Sequence, residues 1–593
     1  MRVSNSTTGS KLIRNLIPFF LFSFFLSAQS QPSQSSSAKD SPYSKGAEAL
    51  QRGDLDAARD WFEAAVRHDT RDAATRNLLG MVLLKQNHPA EAISEFRSAI
   101  RLRPSFANAH ANLSGALLQT GDPQGALTEA RSAVRLASDQ PDAQFALARA
   151  LEAASNIPEA IAALHKALHL APGRPDLHDG LGTMLVRQND LQAATAEFEE
   201  ALRLNANYSP AHFHLGVLQF ERKQFEPAEN HLAKATQLDP RNYLALNYLG
   251  MARRELGNLS EALRAFQASL KLQAAQPDIL NLLGQTLQRV GNPADAAAAF
   301  RELLRLRPQS AEAQNNLGLA LLQSGDGDGA IAAFRAALEI HPADTAYQGN
   351  LGAAYLQKAD FAAAVSEFTA ALTLDPRNPT LHYNRGLALK LQDKLPEAVA
   401  ELRVAEDIDP TQPDAPYTLG VTLWQMGDAD GAVSELRKAI AAKPDYAEAF
   451  YTLGTVLKQQ SKLQDSADAL RQALKLQPDF AGAHTTLAGV LRQLGDSEGA
   501  TSEARLGAEL AKQKTNLQSA AFAINSGRRL RNLGDLDAAI SQFRAAIQAV
   551  PDYAPAHFEL AIALRQLGKK EEAAMEFQRA AALDAKLATT PQP

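Results

Sequence analysis

The stretch Ala311–Asp344, AEAQNNLGLALLQSGDGDGAIAAFRAALEIHPAD, decides the fold, because the chain repeats this unit sixteen times at a spacing of 34 residues. Its eighth residue, Gly318, recurs as Gly46, Gly80, Ser114, Ala148, Gly182, Gly216, Gly250, Gly284, Gly352, Gly386, Gly420, Gly454 and Ala488 without a slip. A strict period of this length means that each unit buries its apolar face against its neighbours and not inside a separate globule. Within the copy, Leu317, Ala320 and Leu321 form one apolar stripe at helical intervals; Ala330, Ile331, Phe334, Ala337 and Leu338 form a second. Gly325, between them, suits the left-handed residue that ends a helix, and Asp326 suits the cap that starts the next. Pro342 stops the second stripe, since proline cannot continue a helix, and Pro104, Pro172, Pro240, Pro308, Pro376, Pro410, Pro444 and Pro478 stand at the same place. Each unit is therefore predicted to be a helical hairpin, with the small residue at place eight facing the crossing with its partner helix near Ala330.

Outside the repeats the sequence bounds compartment and chemistry. The formal net charge of −6 argues against general nucleic-acid binding, which wants a basic excess. The absence of cysteine removes disulfides, thiol nucleophiles and cysteine zinc sites. Lys11 and Arg14 precede the apolar run Leu16–Leu26, and Ser27, Ala28, Gln29 and Ser30 follow it. That order is the order of a secretory signal, and the run is shorter than the roughly 20 residues a spanning helix needs. Residues 1–30 are read as a signal peptide and 31–41 as a flexible linker. The mature chain is expected in the periplasm or secreted, without an integral membrane segment. Residues 42–513 hold repeats 1–14, 514–587 hold repeats 15–16, and 588–593 form a polar tail. The spacing from Ala488 to Gly527 is 39 residues, five too many. The insertion is read as lengthening the second helix of repeat 14, with repeat 15 beginning near Ala520.

Small residues at places eight, twenty and twenty-seven, proline at thirty-two and an aromatic at twenty-four (Phe62, Phe96, Phe198, Phe266, Phe300, Phe334, Phe368, Phe543, Phe577) resemble the tetratricopeptide repeat. The resemblance implies an all-α, right-handed superhelical solenoid of about 16 tetratricopeptide helical hairpins. It also implies that the first helix of each repeat lines a concave groove, with places two, five, six, nine, twelve and thirteen facing a bound segment. The run of repeats is similar to the superhelix of O-GlcNAc-transferase-type proteins, without a transferase domain.

No phosphate loop, nucleophile elbow or paired acid in an irregular segment is present, so no enzyme and no cofactor are expected. His110, His178, His212, His382, His484 and His557 hold place four of their repeats, which repetition explains. His165 and His169 stand four apart, but no carboxylate or cysteine shares their face, and no metal is expected there. The groove carries three patterns. Asn316, Asn350 and Asn384 hold place six, with Asn112 before and Asn525 after them, and Asn77, Asn247, Asn281 and Asn315 hold place five; an amide ladder of this kind is able to grip a peptide backbone. Tyr383, Tyr417 and Tyr451 occupy place five of three successive repeats, with Trp424 beside them, as interface anchors do. Place twelve changes from apolar residues such as Leu322 and Leu356 to Lys390, Lys458, Arg492, Arg531 and Arg565, with Arg528 nearby. The function expected is a protein–protein interaction scaffold that holds extended, somewhat acidic polypeptide in the groove of repeats 11–16. The alternative is an accessory subunit of an envelope enzyme or of a polysaccharide or protein secretion complex. Neither the partner nor the oligomeric state is written in the sequence.

Overall fold

The computed structural model describes residues 41–588. The signal-peptide reading, the linker up to residue 40 and the tail from residue 589 lie outside the described residues. Among those described there are 31 α-helices and a closing 3-10 turn, and no strand. No described helix is long and apolar enough to cross a membrane. The chain divides into two compact bodies, residues up to 320 and residues from 321 on. Each is an all-α solenoid of tandem hairpins, in which a first helix (A) turns back into a second (B) before the next repeat begins.

The hairpin turn follows from two adjacent residues. Place fifteen has a left-handed backbone in every repeat. Nine of these residues are glycines, among them Gly53, Gly121, Gly325 and Gly568; seven are Asn87, Ser155, Asn189, Lys223, Ala359, Asp393 and Ser461. Glycine takes this conformation at no steric cost, so the other seven carry some strain. Place sixteen then caps the B helix. Asp326 Oδ1 accepts from the Gly329 amide at 2.9 Å, and Asp122, Asp190, Asp360 and Asp428 do the same in their repeats. Each such cap is worth about 1 kcal/mol.

What locks A onto B is place twenty-four. Phe62, Phe96, Phe198, Phe266, Phe300, Phe368 and Phe543 are fully buried, each pressed on the glycine at place eight of its own repeat. A Cβ at Gly80, Gly182, Gly284 or Gly527 would stand 2.5–2.6 Å from that ring. The place-eight glycines therefore make room for the side chain at place twenty-four, and not for the alanine at place twenty. Of the four repeats without glycine at place eight, two also lose the large residue at place twenty-four, while repeat 4 sets Ala148 against the buried Leu164. Ser114 goes with Ala130 and Ala488 with Ala504. In repeat 16, Ala561 stands opposite Phe577, and there the ring is only half-buried and lies edge-on to Phe558 at 5.6 Å.

A second joint ties place four of the A helix to place twenty-three of the B helix. His110, His178, His382, His484 and His557 each place Nδ1 2.5–2.8 Å from a glutamate Oε2: Glu129, Glu197, Glu401, Glu503 and Glu576 respectively. Their Nε2 atoms lie 2.8–3.2 Å from the carbonyl of the proline six residues before, which closes the preceding turn against the hairpin. Arg76 meets Glu95 in the same way at 2.8 Å, and Gln348 meets Glu367. The hydrogen bond from Glu197 raises the His178 pKa above its ordinary value, with help from the Pro172 carbonyl and against the effect of burial.

The irregular spacing is resolved without a turn. One helix runs unbroken from Ser497 to Asn532, 36 residues, capped by Asp496. It is the B helix of repeat 14 and the A helix of repeat 15 at once, so the boundary drawn between residues 513 and 514 falls inside a continuous helix. This is why 31 helices serve sixteen repeats.

Candidate functional site

The A helices of neighbouring repeats touch along places five, six, twelve and thirteen, and that face carries the residues singled out above. Its register is set by contacts 35 residues apart. Asn112 donates to Asn77 Oδ1 at 2.9 Å, and Asn316 donates to Asn281 Oδ1 at 3.2 Å. His214 Nδ1 lies 2.7 Å from Asp179 Oδ1 at the same two places. The amides thus pair place six of one repeat with place five of the one before, and part of their bonding capacity holds the solenoid together. Asn384 differs. The residue 35 positions before it is Gly349, and the Asn384 side chain is half-buried with no hydrogen bond among the described residues. Its donor and acceptor are both open to a ligand, as are those of the exposed Asn525 in repeat 15.

The tyrosines lie on the A helices Pro379–Leu391, Asp414–Gln425 and Ala447–Gln459. Tyr417 packs on Tyr446 with ring centroids 4.9 Å apart, and Tyr451 on Phe480 at 4.7 Å. Tyr446 and Phe480 close the repeats that Tyr417 and Tyr451 open, so these two tyrosines span the start and finish of a hairpin. Tyr383, Tyr417 and Trp424 also pack on the core around Leu419, Leu423 and Leu436. All are half-buried, with an edge left open. Trp424 Nε1 donates to Gln459 Oε1 of the next A helix at 2.6 Å. Burial raises the Tyr446 phenol pKa, as do the nearby Asp414 carboxylate and the Tyr417 hydroxyl.

The basic residues fall into two groups. Arg528 and Arg531 both bind the buried carboxylate of Glu559, Arg528 at 2.7 Å. Arg565 lies over the face of Phe577, 5.4 Å from its centroid, on its own B helix. These three are held within repeats 15 and 16. Lys390, Lys458 and Arg492 make no ion pair or hydrogen bond through their side chains among the described residues. Lys390 is half-buried, and that desolvation pulls its pKa down. Lys458 Nζ reaches the next A helix, 3.0 Å from where a Cβ on Gly489 would stand. Three unpaired cations, three tyrosines, one tryptophan and an unbonded asparagine therefore share the A-helix face of repeats 11–14. Among the described residues no group of three or more His, Cys, Asp or Glu is placed to hold a metal.

Sequence reasoning missed Glu559, which takes up two of the expected groove cations. It also missed the glutamates at place twenty-three. A signal for the latter exists: every His or Arg at place four except His212 goes with glutamate there, in repeats 2, 3, 5, 11, 14 and 16, whereas Gln144, Leu246, Leu280, Gln314 and Phe450 go with alanine; Gln348 with Glu367 and Pro416 with Glu435 fall outside the pattern.

Hairpins of this geometry, stacked with an exposed A-helix face, define a helical-repeat binding solenoid. Family models described as tetratricopeptide repeat match residues 77–141, 116–175, 145–209, 185–246, 281–345, 350–413, 417–457, 451–511 and 524–588. The chain belongs to the tetratricopeptide repeat family. An uncharacterised protein of Methanocaldococcus jannaschii is 38% identical over 69 residues, 12% of this chain and 80% of that protein. Among solved structures, a tetratricopeptide repeat protein from Parabacteroides merdae is 18% identical, with a TM-score of 0.36, covering 42% of this chain and 98% of that one. The APC/C hetero-tetramer Cut9-Hcn1 is similar at 15% identity and a TM-score of 0.34, over 75% of this chain and 95% of that one.

Proposed function

We propose that the chain is a non-catalytic interaction scaffold that works outside the cytoplasm and holds an extended polypeptide, acidic in character, along the A-helix face of repeats 11–14. The observation that carries this reading is the unpaired state of Lys390, Lys458 and Arg492 beside the half-open rings of Tyr383, Tyr417, Tyr451 and Trp424. A half-buried lysine without a counter-charge is costly in the free protein. A carboxylate brought by a partner removes that cost and steers the encounter. The aromatic edges add apolar area at the same places. Export rests on the basic, apolar and small segments before residue 31.

The test is capture of partners from the native cell by the full chain, followed by affinity measurement with Tyr417→Ala, Lys458→Ala and Arg492→Ala. Each should weaken binding about tenfold or more, as hot-spot truncation does, and the two charge variants should flatten the salt dependence. Arg528→Ala should have little effect, because Glu559 already holds that side chain. Equal binding by wild type and all three groove variants overturns the assignment of the face. Cell fractionation with N-terminal sequencing tests the export.

A further inference from the structure

The joint between places four and twenty-three is filled alike in five of the six repeats with histidine at place four, by imidazole against carboxylate. Repeat 6 is the exception. His212 meets His231, with Nδ1 2.9 Å from Nδ1 and ring centroids 5.2 Å apart. His212 Nε2 lies 3.0 Å from the Ala206 carbonyl oxygen. A carbonyl only accepts, so Nε2 carries the proton, and the neutral ring turns a bare Nδ1 lone pair toward His231. Two lone pairs at that separation repel unless a positive centre lies between them. A proton on His231 Nδ1 is one such centre; a transition-metal ion bound by both nitrogens, about 1.5 Å off the line that joins them, relieves the repulsion in another way.

We propose that His212 and His231 form a two-histidine site for Cu2+ or Ni2+ on repeat 6. The separation selects the metal. With metal–nitrogen bonds of about 2.0–2.1 Å, a 2.9 Å chord between the donors subtends an angle of about 90°, the cis angle of square-planar and octahedral ions. Tetrahedral zinc would want its donors about 3.3 Å apart. The Ala206 carbonyl supplies the outer contact that fixes ring and tautomer in metal-binding histidines. Both rings are half-buried, so water is at hand to complete the coordination. Among the described residues no third His, Cys, Asp or Glu joins the pair, and Lys234 lies one turn along from His231. The site is therefore open and reversible, a docking point for the ion and not a structural cage. No other histidine pair among the described residues offers this. His165 and His169 are exposed without mutual contact, and the remaining place-four histidines already have a carboxylate on Nδ1.

Copper titration of the full chain, read by metal counting and by electron paramagnetic resonance, tests the assignment. Wild type is expected to hold one more Cu2+ per chain than His231→Gln, with a hyperfine pattern from two nitrogen nuclei that the variant lacks. His231→Glu recreates the joint of the other five repeats and so preserves the hairpin; it should reduce the pattern to one nitrogen. His110→Gln should leave stoichiometry and spectrum as in wild type. Equal stoichiometry and spectra in wild type, His231→Gln and His231→Glu overturn the site and leave the pair bridged by a proton only.

Discussion

Gly284→Ala puts the close approach of the two helices to a quantitative test. The new methyl would stand 2.6 Å from Cε1 and Cζ of Phe300, a ring with no exposed surface. Overpacking of this kind costs about 1–3 kcal/mol, while alanine in place of glycine within a helix returns about 1 kcal/mol. The net expectation is a loss of about 1 kcal/mol. In a Phe300→Ala background the obstacle is gone, as in the natural pairs Ser114 with Ala130 and Ala488 with Ala504, and the same Gly284→Ala change should then stabilise by about 1 kcal/mol. The coupling is thus on the order of 2 kcal/mol, with a change of sign, within the range contacting residues show. A solenoid opens locally, so a single melting midpoint would blur the effect. Amide exchange over Pro277–Arg289 and Pro293–Leu306 resolves it, since about 1.4 kcal/mol is a tenfold change in the opening constant. Slower exchange on Gly284→Ala in both backgrounds would refute the argument, because helix propensity alone predicts that result.

Three further expectations follow from the joints. Because Glu197 raises the His178 pKa in the folded protein, the joint's stabilisation is fully present below the unfolded value of about 6.5 and fades as pH rises through the folded pKa; a proton NMR titration should place His178 above 6.5, and Glu197→Gln should bring it down. Ala359 holds a left-handed conformation (φ 59°) that nine repeats give to glycine, so Ala359→Gly should stabilise repeat 10 by about 1 kcal/mol, measurable as slower exchange in Thr345–Gln357; faster exchange would mean that the unfolded chain's entropy outweighs the strain. Glu559→Gln should loosen repeats 15 and 16 by about 3 kcal/mol, because it strips the counter-charge from Arg531 within a buried pair, whereas Arg528→Ala, at the exposed end of that pair, should cost about 1 kcal/mol or less. Equal losses in the two variants would show that burial at Glu559 does not set the scale.

The fold was legible because its determinants are local and repeated. Gly325 and Asp326 are adjacent, Gly284 and Phe300 are sixteen apart on a strict period, and one copy of the unit predicts the hairpin. The unbroken helix Ser497–Asn532 was legible only in part. The five extra residues told of a longer second helix in repeat 14 but not that it runs on as the first helix of repeat 15, which it does because Ala520 has no left-handed residue or cap before it. The face was less legible because its partners lie 19, 28, 31 or 35 residues apart, and whether two such side chains meet depends on helix crossing and not on spacing. His178 reaches Glu197 by that route, and Arg531 reaches Glu559.

The same dependence on crossing geometry explains why the basic stripe divides where it does. Place six of repeat 16 is Glu559, in a series that elsewhere runs through Asn112, Asn316, Asn350, Thr418 and Thr452. One carboxylate at that place draws Arg528 and Arg531 inward and closes the A-helix face of repeats 15 and 16. In repeats 12–14 the same place carries Thr418, Thr452 and Thr486, each at the register of a tyrosine 35 residues before it: Tyr383, Tyr417 and Tyr451. Threonine brings no charge opposite Lys390 and Lys458, and Asn525 at place six of repeat 15 brings none opposite Arg492, so the three are left without a partner among the described residues. The choice at place six therefore decides whether a cation at place twelve holds the solenoid or faces a ligand. Thr486→Glu, which stands 28 residues after Lys458 as Glu559 stands after Arg531, would accordingly be expected to draw in Lys458 and weaken capture of an acidic segment while raising the stability of repeats 13 and 14.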